Sequence, residues 1–287
     1  MMTKVNAVRP SPIAGTWYPG NPDRLRATVA ACIDDANPPD LHGEVIGLVS
    51  PHAGYRYSGP VAGYAFKTVQ GRHFDRVAVI SPMHQYYPYP ILTSAHQAYR
   101  TPLGDIPLAE DILEQINARL SSEVNIPLSA IANDQEHSLE IELPFLQVAL
   151  DGPFELIPIM LRDQTRRLSK TLGQTLAKVL KGDGSCLLVA SSDLSHFFPE
   201  STAHRLDHRV LDTLAEFSPE RLFDLKDSGQ GQACGLAPMA AVLWACEGLG
   251  ADRVTLLNYD TSAASTGDAS SVVGYGAAAI TRPGLEP

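Results

Sequence analysis

Three histidines each follow a short apolar segment with the length and composition of a buried β-strand. The segments and their histidines are 45–50 with His52, 76–81 with His84, and 185–191 with His196. In open α/β sheets, ligands bind in the crevice beyond the carboxyl ends of parallel strands. If these strands are parallel, the three imidazoles share one crevice, where they can bind a metal ion or transfer protons. We predict that His52 and His84 are metal ligands.

Asp193 supplies a further polar group to the same crevice, and His137 lies in a second unusual polar segment. Asp193 lies three residues before His196, after the same predicted strand. His137 lies in a polar segment just before a predicted helix over 138–150, for which Ser138 would be the N-cap.

Cys234 differs from the other three cysteines because a polar, loop-like segment precedes it and a predicted helix begins near Leu236. The dipole of a helix stabilises a thiolate at its N-terminus, so we expect Cys234 to be chemically active. Two histidines with one cysteine or carboxylate leave one face of a metal open to water or substrate. Such sets occur in 2-His-1-carboxylate iron sites and in three-ligand catalytic zinc sites.

Apolar segments alternate with amphipathic ones along the chain, which is typical of a layered α/β fold. The predicted strands are 45–50, 76–81, 154–160, 185–191, 254–259 and 271–280, and the predicted helices are 138–150, 168–180, 204–217 and 236–244. No linker rich in Pro, Gly and Ser divides them. We therefore expect residues 1–287 to form one α/β domain, with a mostly parallel central sheet flanked by helices.

The composition narrows the range of partners and compartments. The 287 residues are 44% hydrophobic, carry a formal net charge of −10 and contain no cluster of Lys and Arg, so neither nucleic acid nor an anionic membrane is an expected partner. No secretory signal and no apolar stretch of about 18 residues is evident, which argues against export and a membrane span. The four cysteines form no CxxC pair, so we expect free thiols and a cytoplasmic protein.

Two common enzyme motifs do not apply. Residues 274–279 match a dinucleotide-binding glycine pattern, but they lie in a predicted strand with no helix after it. No Gly-x-Ser-x-Gly elbow of a serine hydrolase occurs. His137 and Glu140 have the H-x-x-E spacing of some zinc peptidases, which leaves a zinc hydrolase open as an alternative.

An ordered set of short motifs resembles the Memo family, also called AmmeMemoRadiSam system protein B, over nearly the whole chain. The motifs are the segment from Arg9-Pro10 to Tyr18-Pro19, Pro51-His52-Ala53-Gly54-Tyr55, Ser81-Pro82-Met83-His84, Glu136-His137-Ser138-Leu139-Glu140, Ser191-Ser192-Asp193-Leu194-Ser195-His196, Cys234-Gly235 and Val272-Val273-Gly274-Tyr275. A small departure at Ser81 and Met83 leaves His84 intact.

This resemblance implies a fold similar to the class III extradiol dioxygenases, in which two histidines and a carboxylate hold Fe(II). Members resembling Memo place a cysteine at the carboxylate position, so His52, His84 and Cys234 become the expected ligands. His196 would act as acid and base, with Asp193 orienting its ring, and His137 would complete the pocket. Because a thiolate is oxidisable and donates more charge, we expect Fe(II) or Cu, with Zn as a further option.

Three functions follow from the residues and the resemblance. The first is a metal-binding redox protein that takes a small molecule or peptide in its pocket and acts with radical SAM and AMMECR-type proteins. The second is a non-enzymatic module that binds a phosphorylated or C-terminal peptide in the same pocket. The third is the zinc hydrolase that would use His137 and Glu140.

Overall fold

All six predicted strands form, and they belong to one nine-stranded sheet in the computed structural model, which describes residues 7–182 and 185–284. The strands are β1 (Val8–Arg9), β2 (Glu44–Ser50), β3 (Arg76–Pro82), β4 (Ile91–Ser94), β5 (Ala98–Thr101), β6 (Gly104–Pro107), β7 (Ser129–Ile131), β8 (Glu155–Leu161), β9 (Cys186–Ser191), β10 (His196–Phe198), β11 (Arg253–Thr261) and β12 (Val272–Arg282). The helices are α1 (Pro22–Asp34), α2 (Tyr55–Lys67), α3 (Glu110–Val124), α4 (Leu143–Ala149), α5 (Arg166–Leu180), α6 (Glu200–Ala215), α7 (Pro219–Asp227), α8 (Leu236–Gly248) and α9 (Ala263–Thr266). The fold is therefore mixed α/β, with a central sheet flanked by helices.

The strand order of the large sheet is β10-β12-β2-β9-β3-β8-β4-β7, with β11 also paired to β12. At its centre, β2, β9, β3 and β8 pair in parallel. These four strands are almost wholly buried, as expected for parallel strands covered on both faces. On either side of them β12 and β4 pair antiparallel, so the predicted parallel arrangement describes the centre of a mixed sheet. A separate three-stranded sheet contains β1, β5 and β6.

The register of the central strands brings their carboxyl ends to one edge. Ser50 of β2 lies opposite Ser191 of β9, and Ile80 of β3 lies opposite Ala190 of β9. The residues that follow these strands, which include His52 and His84, therefore leave the sheet at neighbouring points.

Helix α8 begins at the same edge and is buried along nearly its whole length. It packs on β9, β3 and β2 and on the amphipathic helix α5. A Cβ atom at Gly235, just before α8, would lie 2.3 Å from the carbonyl oxygen of Ser191. Only glycine allows the start of α8 to come so close to the end of β9, and this approach brings Cys234 to the histidines. No helix among the described residues combines the length and apolar character that crossing a bilayer requires.

The predicted helix over 138–150 begins later than expected. The Ser138 hydroxyl donates to the Pro82 carbonyl at 2.9 Å, so it does not cap a helix. The chain instead forms a 3₁₀ turn over Glu140–Glu142, and α4 then begins at Leu143 with a proline in its first turn. The polar groups of this segment serve the site at the sheet edge.

Candidate metal site

His52, His84 and His137 form a group that could hold a metal ion. One ligand atom from each ring lies within 4.8 Å of the others. The ring centroids of His84 and His137 are 4.8 Å apart, and His52 lies 5.5 Å and 5.4 Å from them. Nitrogen ligands bind zinc at about 2.0 to 2.1 Å, so small side-chain movements would bring all three nitrogens onto one ion. The geometry alone does not identify the metal.

Glu136 holds the His84 side of this group. Its Oε1 atom lies 2.9 Å from Nδ1 of His84, and its Oε2 atom accepts the backbone N–H of His84 at 2.6 Å. Burial opposes ionisation, but the bonds with His84 and nearby N–H groups outweigh it and lower the pKa of Glu136 to about 2. The carboxylate accepts a hydrogen bond from Nδ1–H and leaves Nε2 of His84 for a metal, as carboxylates behind ligand histidines do at zinc sites.

His52 is fully buried at the end of β2. Its Nδ1 atom lies 2.9 Å from the Ser191 hydroxyl oxygen, and its Nε2 atom lies 3.1 Å from Sγ of Cys234. Burial, and then the neighbouring charges of His137 and His84, hold the pKa of His52 well below its usual range. His52 is therefore a neutral imidazole at pH 7, the form that binds metals.

His137 lies on the loop before the 3₁₀ turn, and the Trp17 ring covers it at a centroid distance of 4.1 Å. Burial is the main cause that lowers the pKa of His137 to about 4; the charge of His84 lowers it further, and that of Glu136 opposes the shift. We expected His137 to complete the pocket or to pair with Glu140 on a zinc ion. The structure instead places it with His52 and His84 in the group that could hold a metal ion.

Cys234 lies beside this group and contacts it through His52. Its backbone N–H donates to the Asp193 carbonyl at 3.1 Å, which fixes the turn into α8. In the metal-free protein, burial opposes the stabilisation of the thiolate that we expected from the helix dipole. Burial, followed by the charge of Asp193, raises the pKa of Cys234 far above its usual range. A bound metal would reverse this, because coordination deprotonates a thiol.

Asp193 and His196 both lie after β9, but they do not act on each other as expected. Asp193 Oδ1 accepts the backbone N–H of His52 at 2.7 Å, so this carboxylate anchors the turn after β2. Nδ1 of His196 lies 2.8 Å from the Leu194 carbonyl, which can only accept, so Leu194 rather than Asp193 orients the ring. Burial lowers the pKa of His196, and Nε2 is left as the basic nitrogen.

Arg9 is a buried cation that fixes the loop carrying Glu136 and His137. Its guanidinium donates to Asp134 Oδ1 at 2.8 Å, to Glu140 Oε2 at 2.5 Å and to the Glu136 carbonyl at 2.9 Å. The Tyr18 hydroxyl also donates to Glu140. Since Glu140 is held by Arg9 and Tyr18, it does not pair with His137 as a zinc ligand, and the H-x-x-E interpretation was wrong.

Sequence reasoning missed three contributors to this site: Arg9, Glu136 and Glu142. Glu136 had a visible signal, because it precedes His137 and shares its motif. Arg9 lies 131 residues from Glu140 in the chain, and no spacing rule connects the two. Glu142 lies 2.9 Å from the Ser191 hydroxyl, and only the fold shows this proximity.

An aromatic cleft of about 460 Å³ shares Trp17 with the site, since the ring of Trp17 also covers His137. It is lined by Thr16, Trp17, Ala53, Gly54, Tyr57, Phe197, Ser262, Thr266, Ser271, Val273 and Tyr275. None of these described residues is charged. Phe197 is 75% exposed and has a left-handed backbone with φ of 63°, which is rare for a bulky residue. A mostly uncharged group bound in the cleft would contact Trp17, and the Trp17 ring lies against His137.

Comparison with known proteins places the chain in a family. The model of the Memo-like proteins matches residues 9–279. A MEMO1 family protein from Nitrosopumilus maritimus is 33% identical over 94% of this chain and 98% of its own length. One from Thermotoga neapolitana is 32% identical over 93% and 98%. A crystal structure of an uncharacterized protein from Escherichia coli K12 covers 81% of this chain and 99% of its own at 15% identity and a TM-score of 0.45, a likeness too low to support an inference. The family model and these relatives together show that the chain belongs to the Memo family.

Proposed function

We propose that the protein is a metal-dependent redox protein that binds Fe(II) or Cu at the sheet edge. His52 and His84 would be ligands in every arrangement considered, and His137 and Cys234 would complete the ligand set. The observation that carries this proposal is the three-histidine group with a thiol 3.1 Å from one of its nitrogens. Ligands on one tetrahedral metal lie about 3 to 3.5 Å apart, given metal–nitrogen distances near 2.0 Å and metal–sulfur distances near 2.3 Å. The contact between Cys234 and His52 fits that spacing.

The side chains divide into three roles. Glu136 and Ser191 set the proton positions on His84 and His52, so that the Nε2 atoms face the ion. The aromatic cleft binds and orients a small molecule or peptide and excludes water from the group beside the ion. His196, neutral and basic at Nε2, accepts a proton from the substrate and returns it. A bound iron or copper ion would supply Lewis acidity and redox chemistry.

Anaerobic reconstitution followed by oxygen-uptake measurements tests the redox proposal. The metal-free protein is loaded with Fe(II) or Cu(I) and mixed with small aromatic and aliphatic reductants under air. We expect uptake with the loaded wild type and its loss in His196→Ala, which keeps the metal. His204→Ala, which changes an exposed histidine on the following helix α6, is the matched control and should take up oxygen like the wild type. Absence of uptake with every reductant despite full loading would contradict the redox function.

A non-enzymatic peptide-binding role is the second proposal, since the cleft is open and aromatic. The described residues that line it include no Arg or Lys, so a phosphate would have to be bound by the histidines. Calorimetric titration with a phosphotyrosine peptide and its unphosphorylated form separates the two proposals. Equal affinities, or affinity unchanged in Trp17→Ala, would contradict phosphopeptide recognition in the cleft.

We also propose that radical SAM and AMMECR-type proteins are partners. This proposal rests on the resemblance of the chain's motifs to the Memo family. Co-purification of the three proteins, followed by size-exclusion chromatography, tests it, and independent elution of all three would contradict it.

A further inference from the structure

Ser191 is a branch point in the hydrogen bonds behind His52. Its hydroxyl oxygen lies 2.6 Å from the Ser138 carbonyl, 2.9 Å from Oε1 of Glu142 and 2.9 Å from Nδ1 of His52. A hydroxyl has one hydrogen and two lone pairs, whereas a carbonyl can only accept. The shortest of the three contacts is therefore the hydrogen bond that the Ser191 hydroxyl donates to the Ser138 carbonyl. The other two contacts are satisfied only if Glu142 and His52 both donate to Ser191.

Glu142 has the surroundings of a neutral acid. Its side chain is 1% exposed, and no ion pair joins it to a cation among the residues the structure describes. Glu140, two residues earlier, is equally buried but contacts Arg9. Burial, with the charge of Asp193 added, raises the pKa of Glu142 to about 8, in spite of its hydrogen bonds to serines. The carboxyl group therefore carries a proton at pH 7 and can donate it in a hydrogen bond.

We propose that Glu142 is a positioning residue that acts as a neutral carboxylic acid and fixes the proton arrangement of His52 through Ser191. Glu142 donates to the Ser191 oxygen, Ser191 donates to the Ser138 carbonyl, and Nδ1–H of His52 donates to Ser191. The lone pair of Nε2 is thereby directed at Cys234 and the other histidines. In that one arrangement the Ser138 carbonyl, the Ser191 hydroxyl, the Glu142 proton and Nδ1–H of His52 all have a hydrogen-bond partner, as buried polar networks require.

This arrangement makes the two expected ligands, His52 and His84, chemically unlike each other. His84 donates to the ionised carboxylate of Glu136, whereas His52 donates to a neutral hydroxyl supported by a neutral acid. A carboxylate partner raises the basicity of a ligand imidazole, and a neutral partner does so less. His84 is thus the stronger donor, and His52 keeps its geometry without adding negative charge to the site. This last consequence rests on the proposed metal binding, but the proton arrangement does not.

The first experiment uses the full-length, metal-free protein with ¹⁵N-labelled histidine at pH 7. Long-range ¹H–¹⁵N spectra should show His52 protonated at Nδ1 in the wild type and in Glu142→Gln, whose amide also donates to Ser191. The wild-type-minus-Glu142→Gln infrared spectrum should contain the carbonyl band of a protonated carboxyl group. His52 protonated at Nε2, or an ionised carboxylate in the difference spectrum, would overturn the proposal.

The second experiment measures Co(II) affinity in three proteins. Glu142→Leu should bind Co(II) about tenfold more weakly, which is the usual size of outer-shell effects. Glu142→Gln should bind like the wild type. Equal affinity in all three, or Gln as weak as Leu, would show that Glu142 does not position His52. If the wild type binds no Co(II), Fe(II) or Cu, the proposed function fails, while the spectra still decide the proton arrangement. If Glu142→Leu does not fold, the spectra of the wild type and Glu142→Gln still decide the proton arrangement.

Discussion

Sγ of Cys234 lies 3.1 Å from Nε2 of His52, although 182 residues separate them in the chain. The close approach of Gly235 to the end of β9 makes this contact possible. Burial raises the pKa of the Cys234 thiol, and with Nε2 of His52 unprotonated, as proposed above, the thiol donates to this nitrogen in the metal-free protein. With a metal bound, the same two atoms would be neighbouring ligands.

The role of Cys234 can be read from an absorption spectrum. We expect the Co(II) and Cu(II) forms of the wild type to show thiolate-to-metal charge-transfer bands, and Cys234→Ser to lack them. Cys32→Ser changes a cysteine on α1 away from the site and should leave the bands unchanged. Identical spectra for the wild type and Cys234→Ser would mean that His137, not Cys234, completes the ligand set.

Replacing Glu136 by Gln should weaken metal binding by about ten- to a hundredfold. The substitution removes the negative charge that favours the His84 proton at Nδ1. It also places an amide NH₂ group opposite the backbone N–H groups that Glu136 oxygens accept in the wild type. Competition titration with a chromogenic chelator measures the change. Glu114→Gln, exposed on α3, is the control. Unchanged affinity in Glu136→Gln would show that His84 needs no carboxylate partner.

Arg9 should matter for stability more than any surface cation. Substitution by Met leaves Asp134 and Glu140 buried without their cation, which typically costs 3 to 5 kcal/mol, about the size reported for broken buried ion pairs. Denaturant unfolding, followed by circular dichroism, measures the free energy of unfolding. Arg100→Met breaks an exposed, solvent-screened pair with Asp105 and should cost far less. A similar small loss for both variants would contradict the role of Arg9.

The proton on Glu142 should appear in the pH dependence of stability. Its folded pKa, about 8, lies above the usual value of 4.5, so the folded state holds a proton that the unfolded state releases between those values. The contribution of this proton to the free energy of unfolding is complete below about pH 4.5 and is lost as the pH rises toward 8. The wild type should therefore lose stability relative to Glu142→Gln across this window, and the difference should level off above it. Asp193, whose pKa is also raised, is common to both proteins and cancels. A constant difference from pH 5 to 9 would mean that Glu142 does not hold a proton in the folded state.

The central strands and the residues after them could be predicted from the sequence, because short apolar segments are a local signal. His52 and His84 follow two such segments, and the parallel register of β2, β9 and β3 brings them to one edge, as predicted. His196 follows β9 but lies in β10, which pairs with β12. The resemblance to the Memo family, which the family model confirms, also followed from local motifs.

The hydrogen-bond partners could not be predicted, because they depend on contacts between distant parts of the chain. Arg9 contacts a loop more than 120 residues away, and that contact excludes Glu140 from the metal site. The protonated state of Cys234 depends on burial, which outweighs the helix dipole that its position suggested. The same limit applies to His196, whose ring is oriented by a neighbouring carbonyl and not by Asp193.

Metal content measured on protein purified without a chelating tag tests the central claim most directly. After anaerobic loading with Fe(II) or Cu and removal of excess ion, mass spectrometry should find about one equivalent in the wild type and in His42→Ala, an exposed control. His52→Ala and His84→Ala should each retain little or no metal while keeping the wild-type circular dichroism. A folded wild type that retains no metal, or His52→Ala and His84→Ala variants that retain as much as the wild type, would contradict a metal site at this edge of the sheet.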